Sequence, residues 1–270
     1  MIDYIFMDGS RVENSLPLRS LFYGEGLFET FRHKNRLPVL FDKHLERMEA
    51  GAKLLKVPFP EKEYIKELVE KAILESELKD AYVKICLLSD GESAFNKMSK
   101  ESQALVIVKK YLIPKHSVKI KINSCRRISE SPLLNVKSLN YLENILARRE
   151  ASGSGFDEAL FLNERDEVAE CSTSNIFWFN GETLFTPSIE CGLLSGTTRD
   201  LILNFIPEHG VNFVEGRFSL RDLAAAEFVF ITNSLIGCAP VFEIEGNILN
   251  PEHNYLAKIK NTLLKKLEWE

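Results

Sequence analysis

Nowhere in this chain do about 18 apolar residues run together, so no membrane-spanning helix is predicted. The opening stretch MIDYIFMDGSRVE carries acid early and shows neither a long apolar segment nor a small-residue cleavage site, and it does not read as a secretory signal. Cysteine is sparse and unpaired in pattern: Cys86, Cys125, Cys171, Cys191 and Cys238 are odd in number and never spaced as CxxC. Such spacing implies neither a disulfide framework nor a zinc site, and the expectation is a cytoplasmic protein with free thiols and no metal. No excess of one charge stands out either, since 34 Lys and Arg against 39 Asp and Glu leave a net charge of -5. Without a basic patch, nucleic acid is not an expected partner. Internal repeats and low-complexity segments are also absent.

What is present suits one large domain or two moderate ones: 270 residues, 45% of them hydrophobic. Residues 1–12 read as two short strands about a turn at Asp8-Gly9, and residues 27–40 as a β-hairpin turning near Lys34-Asn35. Helical spacing follows in FDKHLERMEAGAKLL, with Leu45, Met48, Ala52 and Leu55 on one face. A second helix begins after Pro60, with Ile65, Leu68, Val69, Ala72 and Ile73 on its stripe. Two apolar strands, AYVKICLLS and ALVIVKKYL, come next, and Pro114 marks a linker. Beyond it, short strands (VKIKINSC, EALFLN, NIFWFN, TLFTP, FVFITN) mix with helices, and KIKNTLLKKLEWE reads as a terminal helix with a solvated face. The predicted class is α/β (α+β), with a small domain at 1–112, a linker at 113–118 and a larger strand-rich domain at 119–270.

The chemistry concentrates between Lys137 and Arg199. Lys137 precedes a helix whose stripe of Leu139, Leu142, Ile145 and Leu146 is expected to face inward, desolvating an amine that can form an imine. Glu170, in VAECSTSNIFW, is a carboxylate that could keep a pyridine nitrogen protonated. Cys171 has no basic neighbour in sequence to make it a thiolate. Ser195 reads as the N-cap of a helix opening with Thr197-Thr198-Arg199, a cradle for a phosphate. Asn233-Ser234 ends the strand FVFIT, a common ligand position in α/β sheets. Arg47 could fork onto a phosphate, although its bland reading is a solvated arginine, and His44 beside it a satisfied helix histidine. The glycines of Tyr23-Gly24-Glu25-Gly26 allow a tight loop.

Taken in order, YGEGLFETF, HLERM, KSLNYLENILARREA, AECSTSNIFWF, GLLSGTTR and EFVFITNSLIGCAPV resemble the fold-type IV pyridoxal phosphate enzymes over nearly the whole chain. These are the branched-chain and D-amino acid aminotransferases and the aminodeoxychorismate lyases. The resemblance implies that Lys137 is the Schiff-base lysine and proton shuttle and that Glu170 pairs with the ring nitrogen. It further implies that Arg47, Thr197 and Thr198 bind the phosphate and that Asn233 and Ser234 close it from another turn. Leu194 would pack under the ring, Tyr141 would approach the ring hydroxyl, and the protein would be a homodimer acting on a small molecule.

Within the family, Cys171 after the acid and the loop TNSLIGCAPV resemble the lyase version. The turn Ser89-Asp90-Gly91-Glu92-Ser93 lacks the arginine found there in lyases and D-amino acid aminotransferases, which leaves the carboxylate contacts open. The reading is an aminodeoxychorismate lyase, with a branched-chain or D-amino acid aminotransferase using 2-oxoglutarate as the alternative.

Overall fold

The computed structural model describes residues 6–7, 10–11, 16–92 and 94–270. Its first half contains β1 (Phe6–Met7), β2 (Ser10–Arg11), α1 (Leu18–Tyr23), β3 (Gly26–Lys34), α2 (Phe41–Leu55), α3 (Lys62–Ser76), β4 (Asp80–Asp90) and β5 (Glu101–Lys110). Next come β6 (Val118–Arg127), α4 (Leu142–Gly153), β7 (Glu158–Asn163), β8 (Val168–Cys171), β9 (Asn175–Phe179) and β10 (Thr183–Pro187). The chain ends with α5 (Thr197–Phe205), β11 (Asn212–Gly216), α6 (Leu220–Ala224), β12 (Phe228–Asn233), β13 (Gly237–Ile244), β14 (Asn247–Ile248) and α7 (Asn254–Lys266).

Strands β3, β4 and β5 form an antiparallel sheet. Period-two alternation points Leu27, Phe31, Val83 and Ile85 at Leu45 and Met48 of α2 and Ile65 and Val69 of α3, closing one core. The second sheet is mixed and runs β11-β10-β9-β12-β13-β6-β7-β8, with β14 beside β13. Strands β7, β8 and β9 are buried along their whole length, because helices or loops cover both faces. Alternation within β9 divides the work: Phe177 packs with Phe205 of α5 and Leu263 of α7, while Trp178 packs on the opposite side with Val229 and Leu223. The α/β class read from the sequence is the class observed.

Three local expectations fail. Residues 27–40 form no hairpin. Instead, β3 pairs with β4 over nine residues, from Gly26↔Leu88 to Lys34↔Asp80. Asn35 (φ 61) turns the chain away, and Pro38, which has no N–H for a ladder, leads into α2. The stripe of α4 is also inverted, since Leu142, Ile145 and Leu146 are exposed and Asn144, Ala147 and Ala151 are buried. Lastly, the N-cap of α5 is Gly196 rather than Ser195, with no side chain bonded to the cap position. The Ser195 hydroxyl instead faces Asp200 at 3.4 Å. At the N-terminus, β1 and β2 pair antiparallel, and the Asp8-Gly9 turn lies outside the described residues.

Candidate active site

A cavity of about 880 Å³ lies where the two sheets meet. Arg47 reaches it from α2, Lys137 and Tyr141 from the segment before α4, and Glu170 from β8. Leu194, Thr197 and Thr198 approach with the start of α5, and Asn233 and Ser234 with the end of β12.

Lys137 is fixed by its backbone. Its carbonyl accepts from Phe28 N–H (2.8 Å), and Leu139 N–H donates to Gly26 C=O (2.9 Å), so the segment docks along the edge of β3. Only a glycine fits at 26, because a Cβ there would sit 2.7 Å from both Leu139 and the Leu87 carbonyl. The amine lies 4.3 Å from the Phe28 ring centre and 5.1 Å from that of Tyr141. These rings, rather than the leucines of α4, desolvate it. Burial, followed by repulsion from Arg47, pushes the ammonium down to about 8, against the opposing pull of Glu29 and Glu170.

Glu170 has a partner that the sequence did not suggest. Arg127 Nη1 donates to its Oε1 at 2.7 Å, and the Leu194 N–H and Asn175 Nδ2 each donate to Oε2 at 3.2 Å. Burial still raises the Glu170 carboxyl, with the Arg127 charge acting against it. The Arg127 guanidinium stacks 3.7 Å over Phe161, and its Nε and Nη2 are buried without hydrogen-bond partners.

Around the start of α5, the first intrahelical bond runs from Asp200 N–H to Gly196 C=O (2.9 Å), which leaves the preceding N–H groups without helical acceptors. The Thr198 hydroxyl is buried and unpartnered. A Cβ on Gly196 would meet Asn175 Oδ1 at 2.0 Å, so the backbone approaches the site bare. Arg47 is not solvated: Nε and Nη2 bind the Glu29 carboxylate at 2.8 and 2.7 Å, and Nη1 donates to the Ser195 carbonyl at 2.8 Å.

Other expected residues are engaged internally. Tyr141 O–H donates to the Ser172 carbonyl (3.0 Å), and its phenol is raised by burial. Asn233 Oδ1 accepts from the N–H groups of Leu235 and Ile236, while its amide donates to the Thr173 carbonyl (3.1 Å). Ser234 donates to the Thr30 carbonyl (2.5 Å). The Cys171 thiol is buried and raised well above its ordinary value, so it stays protonated. Among the described residues no group of three His, Cys, Asp or Glu could hold a metal ion, and no helix is long and apolar enough to cross a membrane.

Glu29, Lys84 and Arg127 are site residues that sequence reading missed. A signal existed for Glu29, because Leu27, Glu29, Phe31 and His33 share the buried face of β3. A charge inside an apolar alternation marks a paired group. For Arg127 there was none, since the register of β6 shifts between Ile122 and Arg126 and breaks the alternation that would have shown it facing inward.

A model of the Amino-transferase class IV family matches residues 26–244. Aminodeoxychorismate lyase of Bacillus subtilis is 31% identical, over 89% of this chain and 86% of its own length. A D-alanine aminotransferase of Listeria monocytogenes is 27% identical over 84% and 81%. The crystal structure of a branched-chain aminotransferase from Thermoproteus uzoniensis with norvaline superposes with a TM-score of 0.83 at 28% identity, covering 97% of this chain and 94% of that one.

Proposed function

This chain belongs to the Amino-transferase class IV family of pyridoxal phosphate enzymes, and from that footing we propose that it is an aminodeoxychorismate lyase. It would eliminate pyruvate from 4-amino-4-deoxychorismate and release 4-aminobenzoate for folate synthesis. The cavity fits the cofactor: the orphaned Thr198 hydroxyl and the bare Gly196 suit a phosphate, and the buried Glu170 carboxylate suits a ring nitrogen.

Bound pyridoxal phosphate supplies an electron sink for bonds at the carbon that bears the substrate amine. In our reading Lys137 is the residue that holds the cofactor covalently and, once displaced by substrate, removes the proton from that carbon at Nζ. Its depressed basicity keeps a useful fraction neutral near pH 8. Glu170 would pair with the ring nitrogen and keep it protonated, with the Arg127 charge opposing the upward push of burial on its carboxyl. Thr197, Thr198 and Arg47 would hold the phosphate and the turn of Asn233 and Ser234 would close it from the other side, with Leu194 under the ring and Tyr141 beside its hydroxyl.

The choice of the lyase rests on the resemblance of Cys171 and the loop TNSLIGCAPV to the lyase version together with the lyase relative, and the observation that supports a carboxylate-bearing substrate is Lys84. This half-buried ammonium lines the cavity from β4 and lies 4.3 Å from the Phe28 ring centre, with no carboxylate paired to it among the described residues. It offers the carboxylate contact that the turn after β4 lacks, and 4-amino-4-deoxychorismate brings two carboxylates. The same cation would also serve a branched-chain or D-amino acid aminotransferase, the reading favoured by the relatives of those two kinds. A half-reaction separates the two. Mixed with excess L-leucine or D-alanine and no keto acid, the lyase keeps its near-visible absorption band, whereas an aminotransferase loses it as the cofactor takes up the amino group.

The same reading places the protein in the cytoplasm as a homodimer, with the exposed Leu142, Ile145 and Leu146 of α4 facing the second copy. It also divides the chain at the 113–118 linker, with the cofactor between 1–112 and 119–270.

A further inference from the structure

Glu29 sits with no exposed surface beside a site read as binding an anion. By charge alone a carboxylate there is unfavourable, so its role must lie in what it orients. Burial would raise its carboxyl, but the charges and hydrogen bonds of Arg47 and His44 prevail and hold it near about 2. It is therefore an acceptor only. The His44 Nδ1, 2.6 Å from Glu29 Oε2, must carry the proton that it shares. Burial lowers the basicity of His44, and Arg47 already balances the charge of Glu29, so the ring is neutral. Its other nitrogen, Nε2, then has a free lone pair. The Thr197 hydroxyl, 3.4 Å away, donates to it and is held in one orientation. On the other arm, Arg47 is gripped at two nitrogens by Glu29 and uses the third to fix the Ser195 carbonyl. Both residues that flank Gly196, the cap of α5, are thus tied back to one buried carboxylate.

We infer that Glu29 is a positioning residue for the cofactor's phosphate: through His44 and Arg47 it fixes the start of α5 as a donor surface. The inference rests on the phosphate cradle proposed above. Its test compares apoprotein affinity for pyridoxal phosphate with that for pyridoxal, which lacks the phosphate, both read by absorbance. A merely structural defect weakens both alike, whereas a misplaced cradle lowers only the preference for the phosphorylated form.

Glu29→Gln removes the charge and, whichever way its amide turns, sets an NH2 donor against a donor of Arg47 or His44, so it cannot hold all three N–H groups that the carboxylate accepts. His44→Asn keeps a donor toward Glu29 but has no acceptor for Thr197, and it stands in if Glu29→Gln does not fold. Each is expected to reduce the preference roughly tenfold or more, the worth of a lost hydrogen bond to a charged group. Thr198→Val serves as the control for the cradle. If it lowers the preference while both other variants leave it unchanged or raise it, the inference fails and the cradle stands. If none of the three moves it, both fail.

Discussion

Replacing Lys137 with alanine is expected to leave a folded protein with no near-visible absorption band and with turnover reduced at least about 10²–10⁴-fold, the usual contribution of a positioned acid or base. The fold should tolerate the change. The basicity of Lys137 is depressed from 10.5 to about 8, so charging it is disfavoured in the folded state. That penalty is fully present below about pH 8 and fades as pH rises through 8 toward 10.5, and removing the amine removes it. Thermal stability at pH 7 should therefore be unchanged or slightly higher. The same depression sets how the wild-type apoprotein takes up cofactor. The rate should climb about tenfold per pH unit with the neutral amine and level off near pH 8, whereas an ordinary lysine would keep climbing toward 10.5. Stopped-flow absorbance across pH 6–10 checks this, and borohydride reduction followed by peptide mapping should place the cofactor on Lys137.

The second large effect belongs to Arg127. Replacing it with methionine leaves the Glu170 carboxylate buried without its charge partner, a change that typically costs about 3–5 kcal/mol. The pH dependence has a definite sign. Burial already raises the Glu170 carboxyl, and without Arg127 it rises further. A carboxyl with a raised folded-state value contributes stability that is present at low pH and is lost as pH climbs through that value. The deficit of Arg127→Met should therefore be greatest at alkaline pH and shrink toward pH 5. Adding Glu170→Gln to the same chain should restore much of the melting temperature without restoring activity, because the neutral amide needs no counter-charge and cannot keep a ring nitrogen protonated.

Local pattern carried the sequence reading well where one periodicity ruled. The helix FDKHLERMEAGAKLL has the bounds of α2, and the strand EALFLN those of β7, since apolar spacing and burial coincide there. Pattern failed where tertiary partners decide. The strand from Gly26 pairs with β4, at separations from 62 residues (Gly26↔Leu88) down to 46 (Lys34↔Asp80), rather than folding back on residues 36–40. The leucines of α4 look like a core stripe yet face outward, because the small Ala147 and Ala151 pack against Ala159 and Phe161 of β7. Arg47 could be placed on its helix and named as a phosphate fork, but nothing local revealed that a glutamate on β3 would grip it. The order of motifs was legible because each is a short run contiguous in sequence. The pairing of Glu170 with Arg127 was not, because it joins residues 43 apart across a sheet.

An elimination carried out in the cavity of Lys137 is tested most directly by one measurement. Purified holoprotein is given 4-amino-4-deoxychorismate, or L-leucine or D-alanine in its place, with 2-oxoglutarate present or absent, and pyruvate, 4-aminobenzoate and glutamate are quantified together. The predicted result is pyruvate and 4-aminobenzoate in equal amounts, independent of 2-oxoglutarate and absent in Lys137→Ala. Glutamate formation from branched-chain or D-amino acids, with no pyruvate released from 4-amino-4-deoxychorismate, would contradict it.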